Sequence, residues 1–411
     1  MLMALVSALA LTAVAVAAPK GPPGATATEL IALARQLSPE LAAAGLMAEA
    51  ATARITSAGA LPDPTLRIDA DNLDRRNVAM NGTTTTFRLM QEFPLWGKLD
   101  LKREMAGFEA TAAQYRVKGA EIEVIARVKS VFAARFATFR AHALTQRNRD
   151  TILTAVATLR DRYAQGGTTQ EDVLRLEIEA EDLGLEIERL RGQETKTAAQ
   201  LNALLNRLPN APLANPLALR PLPPERNMSV AVLVDRAVRL NPMIAEGQAK
   251  IGSATAMQSL ADRNRYPDVA LGVSTTRDRN GYAGSGVMGE LRIPLQWGAK
   301  DAEIYAASAE RAAAEQRLNA LKATLRSEVA SMLAEYRAAA KTLEIMQQHH
   351  LPKSELIVQS TMNALESGEG DVLRVLDAVR RLRTVQIEIL KVQVQQQATL
   401  AEIEKAVGDD L

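Results

Sequence analysis

The sequence predicts a mainly α-helical protein with a membrane β-barrel, built from a duplicated helix-strand-strand-helix-helix repeat. Three observations predict this fold class. Aromatic residues make up only 3% of the 411 residues and charged residues 24%, a balance typical of long helices and coiled coils rather than of aromatic-rich cores. The same short motifs occur twice along the chain. Four segments alternate apolar and polar residues with a period of two, as amphipathic strands do.

The duplication is visible in motifs that recur at a nearly constant offset. Pro39 recurs as Pro242 and Pro64 as Pro267, an offset of 203 residues in both cases. The run FPLWGK at 93–98 recurs as IPLQWGAK at 293–300, with two inserted residues, Gln296 and Ala299. This period is far too long for a solenoid unit, so it predicts two equivalent half-structures.

The sequence predicts four regions. Residues 1–17 are a secretory signal peptide, because an apolar stretch ends in the small-x-small pattern Ala15-Val16-Ala17 and a Pro- and Gly-rich segment follows. The first repeat covers 25–208, a Pro-rich linker covers 209–227 and the second repeat covers 228–408. Beyond the signal peptide, no segment approaches the ~20 continuous apolar residues of a membrane-spanning helix.

Proline, glycine and periodicity place the elements of each repeat. The first helix is predicted at 28–60, capped by Thr26 or Thr28, and its counterpart at 229–262. Strands follow at 65–71 and 83–93, and at 267–275 and 286–293, with turns at Asn81-Gly82 and Asn280-Gly281. Long helices follow at 98–164 and 300–364, and further helices at 169–206 and 371–407. Thr168 and Glu171 have the spacing of a capping box.

The last helix of each repeat, at 169–206 and at 371–407, carries apolar residues at alternating spacings of three and four. This spacing indicates a coiled-coil seam or ordinary helix packing. Polar members of the seam, such as Gln386 and Gln393, suit a wetter layer beside a pore or another subunit. The apolar members begin with Val173, Leu176, Ala180, Leu183, Ile187 and Leu190 in one helix, and with Val372, Val375, Val379 and Leu382 in the other.

The strands predict a barrel shared between chains. Each has one apolar and one polar face, the pattern of a transmembrane barrel with a wet lumen. Four strands are too few to close a barrel, whereas three chains supply twelve. Trp96 and Trp297 stand at equivalent strand ends, and Trp is enriched at membrane interfaces, so both are predicted in the membrane-interface belt.

Two glycine-marked hairpin ends complete the pattern. The first tip, residues 163–174, contains Gly166, Gly167 and Asp172, and the second tip, residues 367–378, reads SGEGDVLRVLDA with Gly368, Gly370 and Asp371. With the signal peptide, the duplicated halves and the strand-to-helix junctions, these tips make the chain resemble the TolC-like outer-membrane efflux protein family. The QEFPLWGK run at 91–98 resembles the heavy-metal branch of that family.

The resemblance implies a homotrimer with a twelve-stranded barrel in the lipid of the outer membrane and a long α-helical tunnel in the periplasm. It implies a passive exit duct that receives substrates from a periplasmic adaptor protein and an inner-membrane pump of the RND type. The glycines of both tips and Asp172 would then dock the adaptor. The sequence also shows no catalytic constellation, so neither an enzymatic activity nor a cofactor is expected.

Asp371 is predicted to form the periplasmic gate. Three symmetry-related copies would bring carboxylates around one axis and favour cations. The alternative, which is compatible, is that Asp172 and Asp371 are acidic residues favoured at a helix N-terminus.

Other motifs have weaker support. The run at 284–289 matches G-x-G-x-x-G, but its second half begins a predicted strand rather than a helix, so a dinucleotide site is disfavoured. His349 and His350 are adjacent and do not share a helix face, and with no cysteine in the chain a metal site is disfavoured. A net charge of +1 gives no electrostatic footprint for nucleic acid. The alternatives to a duct are a periplasmic coiled-coil adaptor or structural protein, and an exported enzyme.

Overall fold

The computed structural model describes residues 21–71, 84–224, 228–277, 284–367 and 369–411. The predicted signal peptide, the two predicted Asn-Gly turns and Gly368 lie outside the described residues. The described chain contains the following elements in order: α1 Ala27–Leu37, α2 Pro39–Ala58, β1 Thr65–Asp71, β2 Thr84–Phe93, α3 Lys98–Ala164, α4 Gln170–Leu204, α5 Val230–Leu240, α6 Pro242–Arg263, β3 Asp268–Arg277, β4 Gly284–Arg292, α7 Trp297–Ile345, α8 Leu351–Ser367 and α9 Val372–Val407.

The chain divides into two compact units. The first, here called the tip unit, contains the described residues up to Leu37 together with Arg127–Leu222 and Ala338–Ala398. The second, here called the sheet unit, contains Ser38–Ala126, the described part of the segment from Pro223 to Arg337, and Thr399–Leu411. The tip unit holds both hairpin ends, and the sheet unit holds all four described strands.

The predicted single helices at 28–60 and 229–262 are wrong, because each is two helices. Ser38 and Asn241 are extended, with φ and ψ of −66° and 119° and of −64° and 123°. Each precedes a proline that starts the next helix, and proline pushes the residue before it out of the helical region. The Asn241 side chain accepts a bond from the Met243 amide at 2.8 Å and donates one to the Ala406 carbonyl at 2.7 Å.

The long helices follow the predicted bounds closely. The predicted helix 98–164 is confirmed as α3, which has 67 residues. The predicted helix 300–364 occurs as α7 and α8, joined by a π-helical turn, Met346–His350, just before Pro352. Proline lacks the N–H that an α-helix needs at that position, and π-helical turns, although rare, occur mostly as single turns inside α-helices.

The four strands form one antiparallel sheet in the order β1-β2-β3-β4. Ile68 lies opposite Phe87, and Leu89 lies opposite Val273. Beside the sheet, the sheet unit has its own apolar core, formed by side chains of α5, α6, α7 and α9 that include Leu233, Val329, Leu333, Leu400, Ile403 and Val407.

The Pro-rich segment has no helix or strand over its described residues 209–224, but it is held by hydrogen bonds. The Ala214 amide bonds the Pro23 carbonyl at 2.9 Å, and Arg135 donates to the Ala214 carbonyl at 2.7 Å. Gln397 donates to the Arg220 carbonyl at 2.9 Å. These hydrogen bonds hold the segment against other residues of the tip unit at Ala214 and at Arg220.

Candidate functional site

The sheet has one apolar and one polar face. Leu66, Ile68, Phe87, Leu89, Leu271, Val273, Val287 and Leu291 share one face through the strand register, and all are exposed. An exposed apolar surface of this extent is unusual for a monomer in water and marks contact with lipid or protein.

The opposite face carries charges that are paired. Asp69 accepts hydrogen bonds from Arg67, at 2.7 Å, and from Arg88 on the neighbouring strand. Glu92 pairs with Arg292 at 2.9 Å. Charged pairs on one face and aliphatic residues on the other are what a wall between water and hydrocarbon requires.

The junction between β2 and α3 is anchored to the start of β3. Lys98 is almost completely buried, and its Nζ lies 2.8 Å from Asp268 Oδ2 and 2.9 Å from the Tyr266 carbonyl oxygen. Trp96 donates from Nε1 to the Pro267 carbonyl at 2.8 Å and stacks on Tyr266, with ring centroids 5.1 Å apart. Trp96 is nevertheless half exposed, and Trp297 at the equivalent junction is exposed.

The first tip ends α3 in a Schellman motif. Gly166 has φ of 74°, a conformation that glycine adopts without strain. The Gly167 amide bonds the Arg162 carbonyl at 2.8 Å, and the Gly166 amide bonds the Tyr163 carbonyl at 3.0 Å. Both glycines are exposed, so this part of the tip presents backbone to the surroundings.

The helix that follows starts in a capping box, one residue later than predicted. The predicted pair, Thr168 and Glu171, is wrong; Thr169 is the N-cap residue and Asp172 its partner. The Asp172 amide donates to Thr169 Oγ1 at 3.2 Å, and Thr169 Oγ1 donates to Asp172 Oδ2 at 2.7 Å. The Thr169 hydroxyl holds the pKa of Asp172 below its ordinary value, and the Thr168 hydroxyl adds to this effect. Asp172 therefore has a structural role at the helix start.

The second tip is tighter than the first. A Cβ on Gly370 would lie 2.4 Å from the Leu365 amide nitrogen and 2.6 Å from its Cα, so only glycine fits beside this backbone. Asp371 is exposed, and its Oδ1 accepts a bond from the Leu373 amide at 2.9 Å, which makes it the N-cap of α9. Asp172 and Asp371 are equivalent in sequence but occupy different positions in their caps.

The two tips share one apolar core, formed by α3, α4, α8 and α9. Arg162 also connects them, because its guanidinium donates to the Leu365 carbonyl at 3.2 Å and to the Gly167 carbonyl at 3.3 Å. The core consists of Ile152, Ala155, Val156, Leu159, Val173, Leu176, Ala180, Leu183, Leu365, Val372, Val375, Leu376 and Val379. The predicted seams are confirmed over this stretch, and the tips are held as one body.

Two polar contacts of the tip unit were not predicted. Glu179 is only 3% exposed and accepts two hydrogen bonds from Arg380, at 2.7 and 2.5 Å. Gln386, predicted in a wetter layer, accepts a bond from Asn148 at 3.2 Å. Both contacts join α9 to another helix within the chain. The sequence contained one signal for these two contacts, which was the polar residue Gln386 at a position of the predicted seam.

The other motifs lie in β4 and in the π-helical turn between α7 and α8. The G-x-G-x-x-G match at 284–289 lies inside β4 and does not open a helix, so it lacks the context of a dinucleotide site. His349 and His350 are exposed in the π-helical turn. In the described part of the chain, no His, Cys, Asp and Glu side chains cluster as a metal site would require. Nor does any helix among those residues have the length and apolarity needed to cross a membrane.

Comparison with known proteins agrees with this architecture. The family model described as outer membrane efflux protein matches residues 30–207 and 233–409. The cobalt-zinc-cadmium resistance protein CzcC of Cupriavidus metallidurans is 24% identical over 378 residues, which cover 90% of this chain and 86% of that protein.

Solved structures share the fold. A membrane protein from Pseudomonas aeruginosa superposes with a TM-score of 0.80 at 19% identity, covering 95% of this chain and 91% of that one. The outer membrane protein VceC of Vibrio cholerae superposes with a TM-score of 0.76 at 18% identity, covering 93% and 96%.

With both halves matched by the family model, the chain belongs to the outer membrane efflux protein family. It is an outer-membrane protein that serves as an exit duct in efflux. The resemblance predicted from the tips and junctions is confirmed. The family is one of transport proteins, so the alternative of an adaptor and that of an exported enzyme are not supported.

Proposed function

We propose that three copies of the chain form one channel, with a twelve-stranded barrel in the outer membrane and a helical tunnel in the periplasm. The observation that carries this proposal is the sheet. Its apolar face is exposed, and β1 and β4 are its edge strands among the described residues. Unpaired strand edges do not occur in hydrocarbon, and four strands cannot close on themselves. Three copies supply enough strands for a small closed barrel.

The tips are proposed as the docking site for a periplasmic adaptor. Their support is the combination of exposed backbone at Gly166 and Gly167 with a rigid shared core beneath. Gly368 and Gly370 are the corresponding glycines of the second tip in this proposal, and Asp172 fixes the helix start behind the first. A rigid surface with exposed backbone loses little conformational entropy on binding, which favours affinity.

Asp371 is proposed as the gate residue. Its carboxylate is exposed at the start of α9, although Oδ1 is also engaged by the Leu373 amide. In a trimer, three such carboxylates near the axis would repel one another and attract cations. The cap contact would hold each carboxylate in place.

The proposed cargo is divalent transition-metal ions, delivered by an adaptor and an RND-type inner-membrane pump. The support is the similarity to CzcC, which is named for resistance to cobalt, zinc and cadmium. The polar face of the sheet carries Arg67, Arg88 and Arg292 paired with carboxylates, so neither sign of charge dominates that wall. Cargo choice would then be made by the pump.

The cargo proposal is tested by deletion of the gene in its own cell, followed by measurement of cobalt, zinc and cadmium retained after loading. Cells without the protein are expected to retain more metal than the parent. Their growth should stop at lower metal concentrations than the growth of the parent. The wild-type gene on a plasmid should restore the parent's behaviour. Equal retention and tolerance in deleted and parent cells would refute the metal cargo.

A further inference from the structure

The strand-to-helix junction occurs twice in the chain. Among the described residues, the first junction contacts the start of a neighbouring strand, and the second does not. At the first junction, Lys98 reaches Asp268 and Trp96 reaches the Pro267 carbonyl. These groups meet because β2 pairs with β3, so the end of β2 lies beside the start of β3; Phe93 is opposite Val269.

The second junction has the same chemical groups and no such neighbour among the described residues. Trp297 and Leu295 are exposed, the latter at 73% against 38% for Leu95 at the first junction. Among the described residues, the ion-pair partner of Lys300 lies in its own helix, Glu303 at 2.8 Å, and the Lys300 side chain is 24% exposed, against 6% for Lys98.

The internal repeat indicates which strand would lie beside the second junction. Pro64, at the start of β1, is the counterpart of Pro267, at the start of β3. β1 is an edge strand of the sheet, and so is β4. If two copies join edge to edge in the antiparallel order of the sheet, the end of β4 lies beside the start of the neighbour's β1, as the end of β2 lies beside the start of β3.

We propose that the second junction binds a second copy of this chain, with Trp297 donating to the neighbouring copy's Pro64 carbonyl and Lys300 pairing with the neighbouring copy's Asp63. This contact rests on the trimer of the proposed function and names the residues that fix its register. A Trp N–H at an apolar interface requires an acceptor, and the first junction displays that acceptor as a proline carbonyl.

The acidic partner differs between the halves in a consistent way. The position equivalent to Asp268 is Thr65, which has no charge, and the nearest carboxylate is Asp63, before the proline. The second junction carries two inserted residues, Gln296 and Ala299, so its lysine stands six positions after the proline rather than four. Both partners are thus displaced, and Asp63 is exposed where the neighbour's lysine would arrive.

Charge reversal provides the first test. Lys300→Glu should reduce the fraction of trimer that survives heating in detergent, and Asp63→Lys in the same chain should restore it, because opposite charges face each other again. Lys102→Glu is the matched control, since Lys102 is an exposed lysine near the first junction; it should leave the trimer unchanged. Failure of Asp63→Lys to restore the trimer would overturn the pairing.

Crosslinking provides a second test that does not depend on stability. The chain has no cysteine, so Asp63→Cys with Lys300→Cys places the only two thiols at the proposed contact. A short bismaleimide should then give covalent dimers and trimers. Asp63→Cys with Arg311→Cys should give few, because Arg311 lies further along α7 by about 16 Å at helical rise.

The two proposals fail in different ways. Native mass spectrometry that finds three chains, together with no crosslinked ladder, would overturn the junction contact and leave the trimer intact. Native mass spectrometry that finds single chains would overturn the trimer itself. Covalent dimers and trimers from the variant with Asp63→Cys and Lys300→Cys, and few from the variant with Asp63→Cys and Arg311→Cys, support the contact.

Discussion

Replacing Gly370 by alanine should disrupt the second tip, and the structure indicates how strongly. The added Cβ would lie 2.4 Å from the Leu365 amide nitrogen, 2.6 Å from its Cα and 2.7 Å from the Ala364 carbonyl carbon. These are backbone atoms, so no side-chain rotation relieves the contact. Leu365 is also fully buried in the core that both tips share.

The expected loss of local stability is at the upper end of overpacking substitutions, about 3 kcal/mol. Gly119→Ala is the matched control. Gly119 lies inside α3, and a Cβ there would meet no atom within 4 Å. That substitution should stabilise its helix by about 0.4–1 kcal/mol.

Hydrogen exchange of the trimer in detergent measures the difference. In Gly370→Ala, amides of the last turn of α8 and the first turn of α9 should exchange about a hundredfold faster, the equivalent of about 3 kcal/mol. Export should fall with the loss of a rigid tip, while membrane insertion remains. Unchanged protection at these amides would refute the steric argument, and normal export from a disordered tip would refute the docking role.

Three further outcomes are expected. Asp371→Asn should lower the cation preference of the channel in planar bilayers and its block by multivalent cations, whereas Asp377→Asn should change both less; no effect of Asp371→Asn would place the constriction elsewhere. Because the pKa of Asp172 is lowered in the folded state, its cap should be fully stabilising above the ordinary aspartate pKa of about 3.9 and weaken as pH falls through the lowered value. Hydrogen exchange at the start of α4 should show this pH dependence in the wild type and lose it in Asp172→Asn. Leu176→Ala, at a fully buried position of the shared core, should lower the free energy of unfolding of the tip unit by about 2–5 kcal/mol, as measured by denaturant or thermal unfolding. Leu185→Ala, at a position that is 72% exposed, should change the same free energy by less than about 0.5 kcal/mol.

The long helices could be predicted because their signals are local. No proline interrupts the chain between Lys98 and Pro209, and Gly166-Gly167 marks the end of α3. The breaks at Ser38 and Asn241 were not predicted, although each residue precedes one of the recurring prolines, Pro39 and Pro242. Proline at the first helical position is compatible with a helix, so the motif alone does not decide between a break and a helix start. The extended conformation of the preceding residue decides it.

The candidate site was only partly accessible from sequence. Adjacent threonines at 168 and 169 both satisfy the capping pattern, and the end of α3 at Gly166 sets the register that selects Thr169. The bonds of Arg162 to Leu365 and of Glu179 to Arg380 join residues about two hundred positions apart, and a charged residue in a charged helix carries no sign of its partner. Such contacts follow from packing and require the structure.

The central claim, a channel closed by three chains, is tested most directly by native mass spectrometry of the protein extracted from the outer membrane in detergent. The account predicts a species with three times the mass of the mature chain, whose unprocessed mass is 44.4 kDa. A protein that remains a single chain under these conditions, or that leaves the membrane without detergent, would contradict it.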